Sequence, residues 1–153
     1  AKVEVVKPPT VLDELIDSVL MKFSKKHPNQ KVITQIPEEF VDIPMDSLLI
    51  EQVLLNLLEN AVDAVKDLLP ENKPYVKMLT KVKNRKLLIE ISNPYSNGIQ
   101  RREKVFYSTK HEGFGIGTAS VAEVVQRMGG YVVFNTEEGI FKVNIFLPVK
   151  TVQ

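Results

Sequence analysis

The stretch of sequence that decides the fold is LIEQVLLNLLENAVDA, residues 49–64. Its apolar residues cover most of the circumference of a helix, so the pattern predicts a long, largely buried helix from about Asp46 to Leu69. The polar residues form a narrow stripe: Gln52, Asn56, Glu59, Asn60, Asp63 and Lys66. Their spacing places Asn56 and Asn60 one turn apart on the same side of the helix.

Two asparagines in the middle of a helix need a reason, because asparagine competes for backbone hydrogen bonds and is a poor helix former. An asparagine carbonyl oxygen is a neutral, hard ligand, suited to a Mg²⁺ ion that already carries phosphates and water. Asn56 and Asn60 therefore suggest a metal–phosphate site. The alternative is that the stripe is an ordinary solvent-exposed face.

A glycine-rich stretch forms the second candidate element. Gly113, Gly115 and Gly117 precede a helix that the sequence predicts from Thr118 to about Met128. Glycines before a helix N-terminus let backbone N–H groups and the positive end of the helix dipole meet a phosphate chain. The spacing is neither that of the dinucleotide fingerprint nor that of the P-loop. These glycines lie in a long aperiodic segment, residues 93–117, which is a binding loop or a plain connector.

The remaining segments predict a mixed set of strands around one further helix. An amphipathic helix should begin near Val11 and end near Pro28, and residues 83–85 and 136–139 should form turns. The predicted strands are Val3–Val6, Lys31–Ile36, Glu39–Pro44 (a turn or short strand), Tyr75–Val82, Lys86–Ser92, Tyr131–Asn135 and Gly139–Leu147.

Composition narrows the function classes. The chain has 153 residues, which favours one domain, and it has no cysteine, which excludes disulfide scaffolds, thiolate metal sites and thiol catalysis. Its net charge of +1 gives no electrostatic basis for sequence-independent binding to nucleic acid or to an anionic membrane. With no signal peptide or long apolar run, we expect a cytoplasmic domain without direct membrane contact.

Residues 49–64 resemble the N box of the ATP-binding domain of sensor histidine kinases, in the GHKL superfamily. Residues 106–117 similarly resemble the F box and second glycine box of that family, and the resemblance runs from Leu49 to Leu147. Within these two stretches, the segments Asn-Ala-x-Asp-Ala (residues 60–64) and Ser-Thr-Lys (residues 108–110) look most like those of the nitrogen-regulator type of sensor kinase. The resemblance implies an α+β fold, a two-layer sandwich with a mixed sheet, helices on one face and a flexible ATP lid at about residues 94–116, in a single domain 1–153.

The same resemblance implies a binding site for ATP and Mg²⁺ between the asparagine helix and the glycine loop. Asn60 would hold Mg²⁺, and Asn56 would contact phosphate or metal-bound water. Asn56, Asn60 and Lys110 are the expected catalytic residues. The expected ATP-binding residues are Asn56, Asn60, Asp63, Asn93, Gly98, Ile99, Thr109, Lys110, Gly113, Phe114, Gly115, Ile116, Gly117 and Thr118.

Asn93 stands where the family's first glycine box has an aspartate that accepts the adenine amino group. An amide oxygen can also accept this hydrogen bond, and on sequence grounds we expect Asn93→Asp to tighten ATP binding, because a charged acceptor is stronger. The alternative is that Asn93 only caps its strand before Pro94, with its side chain turned onto the local backbone.

The implied function is transfer of the γ-phosphoryl group of ATP to a histidine on a separate phosphoacceptor domain, with a response regulator downstream. Hydrolases of the superfamily carry a glutamate base four residues before the metal-binding asparagine, and this chain has Asn56 there. Neither His27 nor His111 lies in the setting of a phosphoacceptor histidine. Three alternatives stay open: a nucleotide-binding pseudokinase, a serine kinase of the anti-sigma type and a slow ATPase.

Overall fold

The computed structural model describes residues 10–35, 41–43, 47–66, 68–95 and 118–151. In these ranges it contains three α-helices, one short 3-10 helix and eight strands. The helices are α1 (Leu12–Lys26), α2 (Ser47–Val65) and α3 (Thr118–Arg127), and the 3-10 helix is Pro70–Asn72. The strands are β1 (Thr10–Val11), β2 (Val32–Gln35), β3 (Val41–Ile43), β4 (Val76–Lys83), β5 (Lys86–Pro94), β6 (Tyr131–Glu137), β7 (Ile140–Pro148) and β8 (Lys150–Thr151).

The main sheet has five strands in the order β2-β4-β5-β7-β6. Strand β2 runs parallel to β4 and the other pairs are antiparallel, so the sheet is mixed, as predicted. Residues of β4, β5 and β7 alternate in burial, with Met78, Ile89 and Val143 among those that face the core. The buried faces of the helices belong to the same hydrophobic core, which places the helices on that face of the sheet.

Helix α2 is the central element of the core. Leu54, Leu57, Leu58 and Ala61 are fully buried, as the near-continuous apolar pattern of this helix predicts. Helix α1 packs beside it and buries a single stripe that includes Leu15 and Val19. In the described part of the chain, no helix is both long enough and apolar enough to cross a membrane.

A second, smaller sheet joins the two ends of the described chain. Strand β3 lies between β1 and β8 and is antiparallel to both. Neither two-residue strand was predicted, because a segment this short has no periodicity to detect. This sheet fixes the residues just before α1 against those that follow β7.

Helix α3 ends where the two adjacent glycines predict. Gly129 has a φ of 81°, and the N–H of Gly130 donates to the carbonyl of Val125 at 3.0 Å, which is the pattern of a Schellman cap. Gly130 also passes close to β7, and a Cβ atom there would lie 2.9 Å from the Cδ2 atom of Leu147. Glycine is therefore required at 129 for the positive φ of the cap and at 130 for the close approach to the sheet.

Most boundaries lie within two residues of their predicted positions, with two differences that matter. Helix α2 ends at Val65 rather than Leu69, and the 3-10 helix follows it. Strand β5 continues through Pro94, in register with Ile140, so the first residue of the predicted lid belongs to a strand. A proline is compatible with this place because a strand end does not require its missing N–H. The predicted strand Val3–Val6 lies outside the described residues.

Candidate nucleotide site

Asn56 and Asn60 are both buried in the core side of α2, each only 1% exposed. The solvent-exposed alternative is therefore wrong for these two residues. Within the described part of the chain, neither side-chain polar atom of Asn60 has a hydrogen-bond partner. An unsatisfied buried amide costs about 1–3 kcal/mol, so its persistence in a core helix points to a ligand that satisfies it.

The chemistry of Asn60 fits a hard cation. Its Oδ1 atom is a neutral oxygen ligand of the kind that Mg²⁺ takes alongside phosphate oxygens and water. Among the described residues, no group of three or more histidine, cysteine or acidic side chains could hold a metal by itself. A cation at Asn60 would therefore need ligands beyond the described acidic and histidine side chains, such as phosphate oxygens and water.

The rest of the polar stripe divides into different environments. Gln52 is exposed to solvent, whereas Asp63 is partly buried and its Oδ1 atom lies 3.2 Å from the Lys66 Nζ atom. Glu59 contacts α1 instead: its carboxylate lies 3.6 Å from Lys26 Nζ and 2.5 Å from His27 Nε2. Asn56, Asn60 and Asp63 remain the members of the stripe that fit a nucleotide site, and Glu59 is part of the contact between helices.

His27 takes part in that contact through both its ring edge and its ring face. Besides its hydrogen bond to Glu59, the ring packs on Phe23, with 5.1 Å between the ring centroids. An ion pair also joins α1 to α2, with 2.9 Å between the Lys22 Nζ atom and the Glu51 Oε2 atom. Sequence reasoning missed these ties, because a single helix pattern does not reveal which polar residue faces a neighbouring helix.

Asn93 lies at the end of β5 in register with Phe141, and it is 1% exposed. Its Nδ2 atom donates a 2.9 Å hydrogen bond to the carbonyl oxygen of Pro94, as the local-cap alternative predicts for one half of the amide. Its Oδ1 atom is buried and has no partner among the described residues. The Asn93 side chain therefore uses its amide nitrogen for a local hydrogen bond, while its buried amide oxygen has no partner among the described residues.

The remaining predicted site residues belong to the loop before α3. Gly98, Ile99, Thr109, Lys110, Gly113, Phe114, Gly115, Ile116 and Gly117 lie outside the described residues. Thr118 is the first residue of α3, so the helix begins where the sequence predicts. Of the sequence-predicted site residues, the structure thus describes the asparagines of α2 and β5, Asp63, and the position of Thr118 at the start of α3.

Comparison with known proteins identifies the family. The sequence matches the GHKL domain over residues 45–148, a range that includes α2 and β5, which carry the asparagines of the candidate site. The chain belongs to the GHKL domain family. This confirms the resemblance stated from the sequence motifs, whereas the nitrogen-regulator type stays a prediction.

Curated relatives of this GHKL domain are sensor and signal-transduction proteins. Sensor protein KdpD of Clostridium acetobutylicum is 29% identical in an alignment 151 residues long, which covers 88% of this chain and 16% of that protein. The signal transduction histidine-protein kinase ArlS of Staphylococcus haemolyticus is 25% identical in an alignment 137 residues long, which covers 82% of this chain and 29% of that protein. The chain thus spans less than a third of the length of these relatives.

Solved structures confirm the fold of the GHKL domain. The catalytic domain of the histidine kinase ThkA superimposes with a TM-score of 0.70 at 24% identity, covering 92% of this chain and 95% of that one. The mycobacterial sensor histidine kinase MprB gives a TM-score of 0.70 at 17% identity, covering 96% of this chain and 100% of that one. The predicted α+β sandwich with a mixed sheet is therefore confirmed.

Proposed function

We propose that this GHKL domain binds ATP with Mg²⁺ and donates the γ-phosphoryl group to a histidine on a separate phosphoacceptor domain of a two-component sensor kinase. The observation that carries the proposal is Asn60, a fully buried amide on α2 that no described residue satisfies. A bound metal–phosphate complex gives this amide a partner. Family membership and the sensor kinases among the relatives support the same function.

The proposed roles follow the environments of the side chains. Asn60 holds Mg²⁺ through its Oδ1 atom, and Asn56, one turn earlier, contacts phosphate or metal-bound water. When bound, the ion supplies charge neutralisation to the phosphate chain. Asn93 accepts a hydrogen bond from adenine with its free oxygen, and Asp63 lies at the edge of the site, held by Lys66.

The glycine loop completes the proposed site, on sequence grounds. Thr109, Lys110 and the backbone amides around Gly113, Gly115 and Gly117 cradle the phosphates, and Gly98 and Ile99 contact the base. Lys110, with Asn56 and Asn60, makes up the proposed catalytic set. We propose that about residues 94–116 act as the ATP lid of a single domain, residues 1–153.

Transfer, rather than hydrolysis, is the reaction that these residues favour. Phosphoryl transfer asks mainly for positioning and charge neutralisation, which amides and an ammonium supply. The lone pair of one histidine ring nitrogen attacks the γ-phosphorus, the bond from phosphorus to the β–γ bridging oxygen breaks as ADP leaves, and the other ring nitrogen releases its proton to solvent. At the position of the hydrolytic glutamate this chain has Asn56, which cannot take a proton from water.

The acceptor histidine has to come from outside the described residues. His27 is tied to Glu59 and packed on Phe23, so it is not presented for attack. We propose a phosphoacceptor domain of the same kinase as the partner, a response regulator downstream, a cytoplasmic location, and no contact with nucleic acid or membrane. A solved structure of ThkA in complex with the response regulator TrrA supports this arrangement by similarity of fold.

Calorimetric titration with ATP, with and without Mg²⁺, tests the binding step. We expect a dissociation constant in the micromolar to millimolar range, equivalent to about 4–8 kcal/mol, and a clear dependence on Mg²⁺. Asn60→Ala should remove the Mg²⁺ dependence, and Asn135→Ala, at an exposed asparagine of β6, is the matched control. Absence of binding at millimolar nucleotide would overturn the proposed function.

Radiolabelled ATP and a separate phosphoacceptor domain test the transfer step. The expected product is a labelled acceptor whose phosphate is lost in acid, as expected for phosphohistidine. An acid-stable product would indicate a serine kinase instead. ATP binding without transfer to a cognate acceptor would indicate a nucleotide-binding module.

A further inference from the structure

The hairpin formed by β4 and β5 concentrates positive charge in a chain that is nearly neutral overall. Residues 73–89 contain six basic residues and no acidic one, whereas the whole chain has a net charge of +1. Four of the six lie at the end of the hairpin: Lys81, Lys83, Arg85 and Lys86. All four are exposed, and no described residue forms an ion pair with any of them. The end of the hairpin is therefore a basic patch without a counter-charge in the described part of the chain.

The backbone at this end of the hairpin is held in one geometry. Asn84 and Arg85 have positive φ values of 53° and 62°, as in the two-residue turn that joins paired strands. The N–H of Val149 donates to the carbonyl of Arg85 at 2.9 Å, which ties the turn to the chain that follows β7. The turn places Lys83 directly opposite Lys86, and like charges in this position destabilise a strand pair. Charge that does not stabilise the hairpin favours a role in binding.

An apolar row lies beside the basic patch on the outer face of the main sheet, the face opposite the helices. In register across β5, β7 and β6, the row consists of Leu88, Phe146 and Tyr131, and Lys81 of β4 stands at its end. The residues that flank Leu88 on β5 are buried in the core, so Leu88 itself faces away from the core. Tyr131 is 47% exposed, and its ring stacks on Phe146 with 4.5 Å between the centroids. The row is thus a partly exposed apolar stripe that begins at the basic patch.

The basic patch and the apolar row together form one surface, called here the hairpin surface: Lys81, Lys83, Arg85, Lys86, Leu88, Phe146 and Tyr131. We propose that the hairpin surface docks an acidic protein segment that carries an aromatic or aliphatic side chain next to its carboxylates. Protein interfaces combine apolar contacts with a charged rim, and complementary charge guides the approach of the partner. Carboxylates of the segment meet the cations of the patch, and its apolar side chain covers the row.

A protein segment fits the hairpin surface better than a nucleic acid or an anionic bilayer does. A nucleic acid backbone offers charge but no apolar side chain for the row, and the ring of Tyr131 stacks on Phe146 instead of standing free for a base. A bilayer would also have to cover Glu90, which lies on the same face two residues from Leu88 and pairs with Lys142 at 3.8 Å. The combination of cations and an apolar row therefore favours a protein partner.

The hairpin surface is remote from the candidate nucleotide site. Lys86 is the first residue of β5, and Asn93 lies seven residues further along the same strand. At a rise of about 3.3 Å per residue, the two residues are about 23 Å apart. A partner on the hairpin surface therefore leaves Asn93 accessible, and the proposal does not depend on nucleotide binding.

The test measures binding of fluorescently labelled acidic polymers to the unaltered chain by anisotropy. Poly(Glu,Tyr) offers carboxylates and aromatic side chains, poly-Glu offers carboxylates alone, and duplex DNA and phosphatidylserine vesicles are unlabelled competitors. We expect poly(Glu,Tyr) to bind saturably, about fivefold or more tighter than poly-Glu of equal length, with weaker binding in added salt. Saturating ATP with Mg²⁺ should leave this binding unchanged. Absence of poly(Glu,Tyr) binding, displacement by ATP, or tighter binding of DNA or vesicles would each overturn the proposal.

Two double variants locate the binding. Lys81→Glu with Lys86→Glu should weaken poly(Glu,Tyr) binding by about tenfold or more. The fold should hold, because a glutamate at position 86 lies opposite Lys83 and relieves the repulsion there. Lys25→Glu with Lys31→Glu, at exposed lysines outside the hairpin, changes the net charge equally and should bind the polymer normally. Equal weakening by both double variants would show non-specific attraction and overturn the proposal.

A single substitution tests the apolar row. Tyr131→Ser should remove the preference for poly(Glu,Tyr) over poly-Glu, whereas Ile33→Ser, at an apolar residue of β2 that is 53% exposed, should keep it. A preference that survives Tyr131→Ser would overturn the role of the row. Lysine at a sheet edge also discourages pairing with another strand, and β2 pairs with β4 only as far as Leu79. Normal polymer binding by Lys81→Glu with Lys86→Glu would leave the lysines only this protective role and overturn the proposal.

Discussion

Replacing Asn60 by alanine should remove Mg²⁺-dependent ATP binding without a large loss of folding stability. The reason is that the buried amide of Asn60 destabilises the fold while it has no partner among the described residues. The side chain is 1% exposed, and neither of its polar atoms is hydrogen-bonded within the described residues. In a folded protein without nucleotide, such a group is a burden on stability. With nucleotide bound, we propose that the same side chain serves as a ligand.

The expected change in stability follows from three terms. Removing an unsatisfied buried amide relieves about 1–3 kcal/mol. Alanine adds up to about 0.7 kcal/mol of helix propensity in the middle of α2. Against these gains, the smaller side chain leaves a gap among the core leucines, which costs about 1–2 kcal/mol. Together these terms give Asn60→Ala a free energy of unfolding between about 1 kcal/mol lower and about 3 kcal/mol higher than that of the unaltered chain.

Thermal and urea denaturation of the nucleotide-free protein measure this change. For a domain of this size, about 1 kcal/mol corresponds to a shift of about 2–4 °C, so the melting temperature should fall by no more than about 4 °C and should rise where the relief of the buried amide outweighs the gap. Calorimetry on the same variant should show that Mg²⁺ no longer tightens ATP binding. A melting temperature that falls by about 10 °C or more, with Mg²⁺-dependent binding retained, would show that Asn60 is a structural amide and refute the reasoning.

Three further substitutions test how the site is supported. Gly130→Ala should destabilise the fold by about 2–4 kcal/mol in urea denaturation, because its Cβ atom would collide with the backbone carbonyl of Phe146. Gly139→Ala is the contrasting case: with φ of 79° and open space around it, it should cost only about 1–2 kcal/mol, and a cost equal to that of Gly130→Ala would contradict the steric argument. Glu59→Gln should lower stability by up to about 1 kcal/mol through the weakened contact with His27, and should leave ATP affinity unchanged; a loss of ATP affinity at intact stability would instead place Glu59 in the site.

The sequence predicts the elements of this fold well where periodicity is strong. The buried helix α2, the hairpin of β4 and β5 and the glycine cap after α3 all follow from patterns in the chain. The two-residue strands β1 and β8 do not, because their pairing with β3 depends on contacts between distant segments. Strands this short form only where a distant segment pairs with them, and a single sequence does not show which segments pair.

The residues of the candidate site are likewise only partly predictable from the sequence. The unusual residue type and helical spacing of Asn56 and Asn60 predict a site on this helix, and the structure shows that both side chains are buried. The stripe alone does not reveal that Glu59 faces α1, because its helical angle fits either neighbour. For Asn93 the sequence leaves open a contact with a ligand or a local cap. The structure shows the hydrogen bond from its Nδ2 atom to the Pro94 carbonyl, and its Oδ1 atom has no partner among the described residues.

The side-chain amide resonances of Asn60 and Asn93 give the most direct test of the central claim, that these two buried amides meet a bound nucleotide. They can be followed in a nitrogen–proton correlation spectrum during titration with ATP and Mg²⁺, with the exposed Asn135 as internal control. Both buried amides should shift in a saturable way, the Asn60 signal only when Mg²⁺ is present, while Asn135 stays in place. If both signals remain unmoved at millimolar ATP and Mg²⁺, the account is contradicted.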